Sequence, residues 1–423
     1  MRLTDVEKRM LDGGYGAARQ KAMELIVRYA GVLGADSLCR VTWADLFCGC
    51  HAYLDVVKST AFDTVFSKMS LCSDETVILD NMAGECVCYS GVEADTSETP
   101  LHMYMPKEKR ERDMAWLKRF VDAGVVLSGN CIPYLTGFIP MRGEHFVSCE
   151  SSAVLIMNSL WGAMANGDGI EASFCAAVCG RTPEWGFHLH EKRAATISVN
   201  IACDPHDVHD WDVMGHALGV KLAPGSVPFL TGRFSKPDIF KLKAFSAALA
   251  CTAGTEMMHI EGLTPEGPDK RSAFQGKACR DFITITKKDL EASKQFLTPH
   301  NKDKIDYISL GCPHYHIEEI RKTAGMLDGK KIHPATILHI WTTGPFKHMA
   351  DRCGYTKTIE NAGGLILTGS CPSTRGYPKG VAAAAYDSVK QRLSAAQETD
   401  AKLYYGTLPQ LIASAVSGFW EEK

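Results

Sequence analysis

The sequence predicts an α/β protein with largely parallel sheets that is divided into more than one lobe. Short apolar segments alternate with helical ones, the pattern of parallel strands joined by crossover helices. Several apolar segments end directly in turns that contain glycine, proline or cysteine. The length of 423 residues exceeds what one simple core accommodates. We expect two main lobes, roughly 1–205 and 206–423.

The first half begins with a helical segment and continues with strands. In chain order the predicted elements are a helix over 4–29, a strand over 37–41, a strand over 76–80, a helix over 110–123 and a strand over 194–202. Thr4 and Glu7 fit a capping box at the first helix. The strand over 76–80 ends in a polar loop at Asn81, and ligands of open α/β sheets bind at that end of a strand.

The second half repeats the alternation more regularly. Strands are predicted over 257–260, 305–310, 336–341 and 364–368, and helices over 213–218, 236–252, 317–324, 346–353 and 381–397, with a further helix starting within 284–295. The segment 381–397 is assigned to a helix because it is rich in alanine, the strongest helix former.

Composition and charge exclude several classes of protein. The chain is 45% hydrophobic and 22% charged with a net charge of −3, so it has no basic field for nucleic acid. The first residues lack the apolar core of a secretory signal, and no apolar run approaches the ~20 residues of a membrane span. We therefore expect a soluble cytoplasmic protein whose 16 cysteines are mostly reduced, buried thiols.

Three cysteines share one setting at the ends of apolar segments. Cys312 and Cys371 each follow a predicted strand and precede a proline, and Cys131 precedes an Ile-Pro pair. Thiolates at strand-to-loop junctions point into the crevice above a sheet and can hold an iron–sulfur cluster with one iron open to substrate. Because the three lie far apart in the chain, their spacing alone still favours structural cysteines.

Polar side chains gather in the segment 131–193 beside the apolar run 153–157. Clusters of polar groups in such a setting usually serve a ligand, so we place much of the active site here. The candidates in this segment are His145, Glu150, Ser151, Ser152, Asn158, Arg181 and His188. The serines lack a G-x-S-x-G elbow, and the chain lacks both glycine-rich nucleotide-binding motifs, which disfavours a serine hydrolase and a nucleotide-binding protein.

Other patterns admit two interpretations each. Cys48-x-Cys50-His51 with Cys86-x-Cys88 could form a zinc site, although the spacing suits buried thiols better. The His188-x-His190 and His314-x-His316 pairs resemble metal ligands, but histidines in turns are more often structural or anion-binding. Lys379 lies in a basic loop after Cys371 that is either a surface turn or a grip for a substrate carboxylate.

Taken together, these stretches resemble the large subunit of the aconitase X family. The resemblance covers nearly the whole chain. It is carried by C-I-P-Y from Cys131, G-E-H at 143–145, E-S-S-A at 150–153, N-S-L-W-G-A at 158–163, G-R-T-P-E-W-G-F-H-L at 180–189, L-T-P-E at 263–266, G-C-P-H at 311–314 and S-C-P at 370–372.

The resemblance implies an aconitase-like fold of several α/β/α lobes around a central cleft and a hydro-lyase that removes water from a hydroxy acid. It places the ligands of an iron–sulfur cluster (2Fe-2S or 4Fe-4S) or of mononuclear iron at Cys131, Cys312 and Cys371. It also implies a small subunit whose swivelling domain, absent from this chain, closes the cleft. That subunit could supply a serine as the catalytic base.

The remaining site residues receive roles under this resemblance. His145 or Glu150 would orient or protonate the departing hydroxide, with Ser151 and Ser152 beside them. Arg181 or Lys379 would hold the substrate carboxylate. Asn81, Asn158 and His188 complete the predicted substrate pocket.

Two activities of the family remain open as expectations. One is dehydration of cis-3-hydroxy-L-proline to a pyrroline-2-carboxylate, and the other is dehydration of phosphomevalonate in an archaeal isoprenoid route. The form of the 180–189 motif and the cysteine-rich composition favour the hydroxyproline reaction. The segment 163–166 departs from the family pattern, because Met164 stands where the family has an arginine. A metal-free, non-catalytic subunit and a zinc hydrolase are the competing classes.

Overall fold

The structure is a computed structural model that describes residues 1–48, 86–91, 93, 107–279, 281–298, 302–373 and 380–421. Its strands are β1 (Leu38–Arg40), β2 (Trp43–Leu46), β3 (Val87–Ser90), β4 (Phe146–Ser148), β5 (Arg181–Pro183), β6 (Ile197–Ile201), β7 (Pro228–Gly232), β8 (His259–Ile260), β9 (Asp281–Ile285), β10 (Tyr307–Tyr315), β11 (Ile337–Thr342), β12 (Leu365–Leu367), β13 (Ala383–Tyr386) and β14 (Lys402–Tyr405).

Helices connect these strands along the chain. They are α1 (Asp5–Leu11), α2 (Ala17–Leu33), α3 (Lys107–Asp122), α4 (Ser151–Ile156), α5 (Ile170–Cys179), α6 (Val208–Gly219), α7 (Ile239–Ala253), α8 (Lys270–Ala273), α9 (Lys287–Leu297), α10 (Ile317–Leu327), α11 (Gly344–Arg352), α12 (Tyr355–Ala362), α13 (Val389–Glu398) and α14 (Leu408–Ser417). A π-helical turn over Met157–Trp161 extends α4, and short 3₁₀ turns cover Pro133–Leu135, Gly186–His188 and His190–Lys192.

Three parallel sheets and one antiparallel pair organise the described residues. The sheets have the strand orders β3-β2-β4, β8-β7-β6-β9 and β12-β11-β10-β13-β14, and β1 pairs with β5 in antiparallel register. All neighbours within the three sheets are parallel. The predicted α/β class with largely parallel sheets is therefore confirmed.

The helix α4 lies where two hydrophobic cores meet. Its residues Ala153, Val154 and Ile156 pack into the core of the five-stranded sheet, whereas Leu155 packs into the core of the four-stranded sheet. Successive residues of a helix point about 100° apart, so one short helix can serve both cores. Glu150, the residue before α4, is thereby fixed at the junction of the sheets.

Local sequence signals account for several elements. Thr4 and Glu7 form the predicted capping box at the start of α1, and the two glycines at 13 and 14 separate α1 from α2. Gly311 is required within β10 because its backbone φ is +94°, and a Cβ atom there would lie 2.3 Å from the carbonyl oxygen of Trp341. This glycine lets β10 continue beyond the predicted end at residue 310 and carry Cys312.

One predicted element is wrong. The alanine-rich segment 381–397 was expected to be helical throughout, but Ala383–Tyr386 forms strand β13 and the helix begins only at Val389. The strand is fully buried, with β10 on one side and β14 on the other. Main-chain pairing on both sides outweighs the helix preference of alanine, which amounts to well under ~1 kcal/mol per residue.

The described part of the chain contains no helix long and apolar enough to cross a membrane. The described cysteines are present as thiols in this structure. Cys175 and Cys179 pack inside the core of the first sheet from helix α5. The strand expected over 76–80 lies outside the described residues.

Buried polar contacts join the parts of the molecule. The guanidinium of Arg193, which is 1% exposed, forms an ion pair with Glu266 at 2.6 Å and donates hydrogen bonds to the carbonyl oxygens of Asn158 and Phe187. Asp212 of α6 accepts hydrogen bonds from the amide of Val389 and the hydroxyl of Tyr405. These contacts tie the four-stranded sheet to the regions before and after it.

The substitution Glu266→Gln should lower the free energy of unfolding by about 3 kcal/mol, because it leaves the buried Arg193 charge without a carboxylate. Urea unfolding monitored by circular dichroism measures this. The control is Asp122→Asn, which breaks the exposed pair with Lys118 and should change stability by less than about 0.5 kcal/mol. Equal effects of the two substitutions would contradict the prediction.

The carboxyl of Asp212 should make the protein less stable as the pH rises. Burial raises its pKa from 3.8 to about 8, so the folded state retains a proton that the unfolded chain releases above pH 4. The stability that the protonated Asp212 carboxyl contributes to the folded state is therefore complete below about pH 4 and disappears as the pH approaches 8. In Asp212→Asn, the decrease in Tm between pH 5 and pH 8 should be smaller than in the parent, whereas the exposed Asp400→Asn should follow the parent.

Candidate functional site

Cys131, Cys312 and Cys371 come together at one place in the structure. They lie before the 3₁₀ turn at Pro133–Leu135, in β10 and after β12, and they are only 2%, 6% and 4% exposed. Burial raises the pKa of Cys131, and the neighbouring charges of Glu150, Cys371 and Cys312 raise it further. Burial and Cys371 likewise raise the pKa of Cys312 to about 12. We call these three residues the thiol group.

His314 fixes the loops that carry the thiol group. Its Nε2 lies 2.9 Å from the carbonyl oxygen of Ser370 and therefore donates to it, which leaves Nδ1 to accept the amide proton of Cys131. The amide of His314 in turn donates to the Cys131 sulfur at 3.4 Å. Burial lowers the pKa of this imidazole to about 4, so it is neutral. Of the two interpretations of the 314–316 pair, the structural role applies to His314.

A buried ion pair contacts β10, the strand that carries Cys312 and His314. Lys243 of α7 donates to the carbonyl oxygen of His314 at 2.8 Å and forms an ion pair with Glu319 at 2.6 Å. The residue after Cys312 is a cis proline, Pro313. The main chain around Cys312 is thus held by a charged residue of the neighbouring four-stranded-sheet region.

The ammonium of Lys390 lies beside the thiol group. It contacts Glu150 at 2.5 Å, and the two side chains are 17% and 15% exposed. Burial disfavours the charged form of Lys390, but Glu150 and then the thiols of Cys312, Cys131 and Cys371 raise its pKa well above the usual value. Sequence reasoning missed this lysine, because it lies in the alanine-rich segment that we expected to be an ordinary helix.

Glu150 is held by its neighbours as well as by Lys390. Its carboxylate accepts a hydrogen bond from the hydroxyl of Ser152 at 3.1 Å, and its amide donates to the hydroxyl of Ser148. Ser152 is buried, and Ser151 is half-buried at the first position of α4. Of the predicted catalytic residues, Glu150 therefore lies beside the thiol group, and Ser152 contacts Glu150.

Glu93 is a second acidic group near these loops that sequence reasoning missed. Its amide donates to the carbonyl oxygen of Gly369, two residues before Cys371, and its carboxylate accepts a hydrogen bond from Ser90. Burial raises its pKa to about 7. A Cβ atom on Gly129, whose φ is +51°, would lie 2.8 Å from a Glu93 carboxylate oxygen, so glycine permits this close approach.

Asn158 and Arg181 are engaged elsewhere. The buried amide of Asn158 donates to the carbonyl oxygens of Ala165 and Glu256 and accepts from the amide of Ala165. Arg181 of β5 forms an ion pair with Glu7 of α1 at 3.0 Å. Asn158 therefore stabilises the main chain at Ala165 and Glu256. Arg181 pairs with Glu7 and not with a residue of the thiol group.

His145 and His188 form a separate group with Cys39. Their Nδ1 atoms lie 3.0 Å apart, and one ligand atom from each of the three residues lies within 4.8 Å of the others. His145 precedes β4 and Glu150 follows it. Because a strand rises about 3.3 Å per residue, the ends of this three-residue strand are about 7 Å apart, and His145 and Glu150 lie beyond them in opposite directions along the chain. The structure thus does not bring the predicted pair His145 and Glu150 together.

Several predicted residues lie outside the described part of the chain. These are Asn81 and Lys379, together with Cys50 and His51 of the alternative zinc site. Met164, which replaces an arginine of the family pattern, pairs through its main chain with His145. It therefore lies on the side of the histidines rather than beside Glu150.

Sequence models of known protein families match nearly all of the chain. Sequence models for the aconitase X first, second and third domains match residues 1–191, 195–295 and 305–417. The phosphomevalonate dehydratase large subunit of Methanothermobacter thermautotrophicus is 31% identical over 380 residues, which are 87% of each chain. The chain belongs to the aconitase X family.

Other aconitase X relatives carry two different activities in their names. The phosphomevalonate dehydratase large subunit of Thermococcus kodakarensis is 30% identical over 90% of this chain and 92% of its own length. The cis-3-hydroxy-L-proline dehydratase of Pseudomonas aeruginosa is 29% identical over 88% of this chain and 62% of its own length. Both names describe dehydratases, which are hydro-lyases.

A solved aconitase X structure has the same fold. The holo-form of aconitase X from Thermococcus kodakaraensis superposes with a TM-score of 0.81 at 28% identity, covering 98% of this chain and all of that one. The predicted aconitase-like fold is confirmed.

Proposed function

We propose that this aconitase X chain is a hydro-lyase that dehydrates a hydroxy acid at an iron-containing centre held by Cys131, Cys312 and Cys371. The observation that carries the proposal is the convergence of three sequence-distant thiols on one buried place beside Lys390 and Glu150. Thiolates select iron–sulfur centres, and an open iron supplies Lewis-acid chemistry at a leaving hydroxyl.

The thiol group fits such a centre chemically. Three buried thiolates would repel one another without a cation among them, and Lys390 supplies one positive charge at their side. The amide of His314 already donates to the Cys131 sulfur, the kind of outer hydrogen bond that tunes a metal-bound thiolate.

The spacing of the sulfurs favours a cluster over a single ion. Among the described residues, Cys39, His145 and His188 are the one group of three ligands within 4.8 Å of one another, so the three sulfurs of the thiol group spread more widely. A single zinc-like ion would hold three sulfurs about 3.8 Å apart, since its bonds to sulfur are about 2.3 Å long. An iron–sulfur cluster, whose cysteine sulfurs bind different irons, accommodates sulfurs that lie farther apart than this.

Glu150 is the residue of this chain best placed to move a proton. It lies between the Ser152 hydroxyl and the Lys390 ammonium, both of which hold its carboxylate in one orientation. In the proposed reaction a base takes the proton next to the substrate carboxylate, and Glu150 takes up a proton and gives it to the departing hydroxide, which leaves as water. Lys390 keeps the local charge balanced and attracts the substrate carboxylate, a role that sequence reasoning assigned to Arg181 or Lys379.

The charges around the thiol group favour cis-3-hydroxy-L-proline as the substrate. Among the described residues of this region, Lys390 and Lys243 are each already paired with a carboxylate, Glu150 and Glu319. A phosphate group carries nearly two negative charges and would require unpaired cations, whereas one carboxylate can share Lys390. Phosphomevalonate is the second candidate, because the large subunits named for it are as similar to this chain as the hydroxyproline enzyme.

We also propose a small-subunit partner that carries the swivelling domain. Relatives that match nearly their whole length are named as large subunits. Activity assays therefore need the chain together with the small subunit encoded in the same genome.

The substitution Cys312→Ala should lower iron and acid-labile sulfide together by at least about tenfold, because even outer-sphere changes weaken metal binding about 10–100-fold. Both are measured on anaerobically purified protein. Cys353→Ala, at an exposed cysteine, should leave both unchanged. Iron without sulfide would indicate a mononuclear centre, and a Cys312→Ala protein that kept both would rule out this ligand.

The substitution Glu150→Gln should reduce kcat for dehydration by about 10²–10⁴, the usual contribution of a general acid–base group. The assay follows cis-3-hydroxy-L-proline and phosphomevalonate separately, with the small subunit present and iron content checked in each variant. Glu318→Gln, which affects only an exposed pair with Arg321, is the control. Turnover of phosphomevalonate alone would overturn the substrate choice but leave the hydro-lyase assignment intact.

A further inference from the structure

The group of Cys39, His145 and His188 resembles a metal site. Cys39 lies in β1, His145 directly before β4 and His188 at the end of a 3₁₀ turn, so three separate elements of the first aconitase X domain meet here. One ligand atom of each residue lies within 4.8 Å of the other two. Cys39 and His188 are buried and His145 is half-buried, which shields the group from bulk water.

The two imidazoles face each other through their Nδ1 atoms. The two rings pack against each other with their centroids 5.1 Å apart. Two neutral rings whose Nδ1 atoms face each other at 3.0 Å can share only one proton. The Nε2 atom of His188 has no hydrogen-bond partner among the described residues, so this buried ring relies on that single contact.

The separation of the nitrogens suits a shared cation. Zinc–nitrogen bonds of about 2.0 Å place two nitrogens of a tetrahedral site about 3.3 Å apart. The observed 3.0 Å differs from this value by a few tenths of an ångström, which a small rotation of either ring provides. The third ligand, a cysteine sulfur, together with two imidazoles suits zinc and other borderline divalent cations.

Cys39 can release its proton to a metal with little loss of other contacts. Its thiol makes a long hydrogen bond of 3.7 Å to the carbonyl oxygen of Thr182. The Glu184 carboxylate lies near Cys39, and a cation that binds the sulfur must displace the thiol proton to solvent. The same carboxylate favours a cation nearby, and the positive charge of Arg193 on the other side is already paired with Glu266.

We propose that Cys39, His145 and His188 bind one divalent cation of the zinc type, separate from the centre at the thiol group. The proton shared by the two Nδ1 atoms moves to Nε2 of the ring that carries it, so that both neutral rings bind the ion through Nδ1, and the Cys39 thiol releases its proton to solvent. With three protein ligands, a fourth position is open to water or another small ligand. The ion would join β1, the start of β4 and the turn at His188, and it does not depend on the proposed dehydration.

The experiment is a zinc titration of the full-length protein after treatment with a chelator. We expect one equivalent of tightly bound zinc, and its X-ray absorption spectrum should show one sulfur and two imidazole nitrogens. Cys39→Ala and His188→Gln should each weaken zinc binding at least about 100-fold, whereas Cys39→His should restore most of it by supplying a third imidazole. The iron content of these variants should stay unchanged.

The controls separate this site from the thiol group. Cys353→Ala and His206→Gln alter exposed residues and should bind zinc like the parent. A sulfur-rich zinc environment would show that the ion had entered the thiol group and would overturn the proposal. So would a parent protein that binds less than a tenth of an equivalent of zinc, a result that requires no variant to fold.

Discussion

The buried ammonium of Lys390 is the charge around which the candidate site is arranged. A lone ammonium in a protein interior loses several kcal/mol of hydration, so it requires an anionic partner. Glu150 is that partner, and it comes from the first aconitase X domain whereas Lys390 comes from the third. Each of the two domains therefore supplies the counter-charge for a buried charge of the other. The three thiols converge where these two domains meet. Removal of either charge would leave the other uncompensated beside the sulfurs.

The sequence predicted strands and helices where local pattern and burial agree. The strands at β10, β11 and β12 read correctly because short β-branched, apolar runs end in glycine or proline. The strand β13 did not, because its four residues, Ala-Ala-Ala-Tyr, carry a helix preference. Only the space between β10 and β14 makes them a strand, and that space is a property of the folded sheet.

The residues of the candidate site likewise fall into those that the sequence predicts and those that only the folded structure shows. The thiols could be predicted because Cys312 and Cys371 follow apolar segments that read as strands, although family resemblance was needed to prefer a metal centre over structural cysteines. Lys390 could not be predicted, because nothing in a helical pattern distinguishes a lysine that points inward. Glu93 is comparable, since its acidity depends on burial between the loops at Ser90 and Gly369. Both are consequences of tertiary packing.

His145 illustrates why neighbours in a motif need not share a function. The G-E-H and E-S-S-A motifs are separated by only four residues, 146–149, which suggested one catalytic cluster. The strand β4 occupies most of that interval, and its parallel pairing with β2 holds it extended. His145 therefore joins Cys39 and His188 at one end, while Glu150 joins Lys390 and the thiols at the other. A sequence motif groups residues by position in the chain, whereas an extended strand separates them by about 3.3 Å per residue, enough to serve two distinct sites.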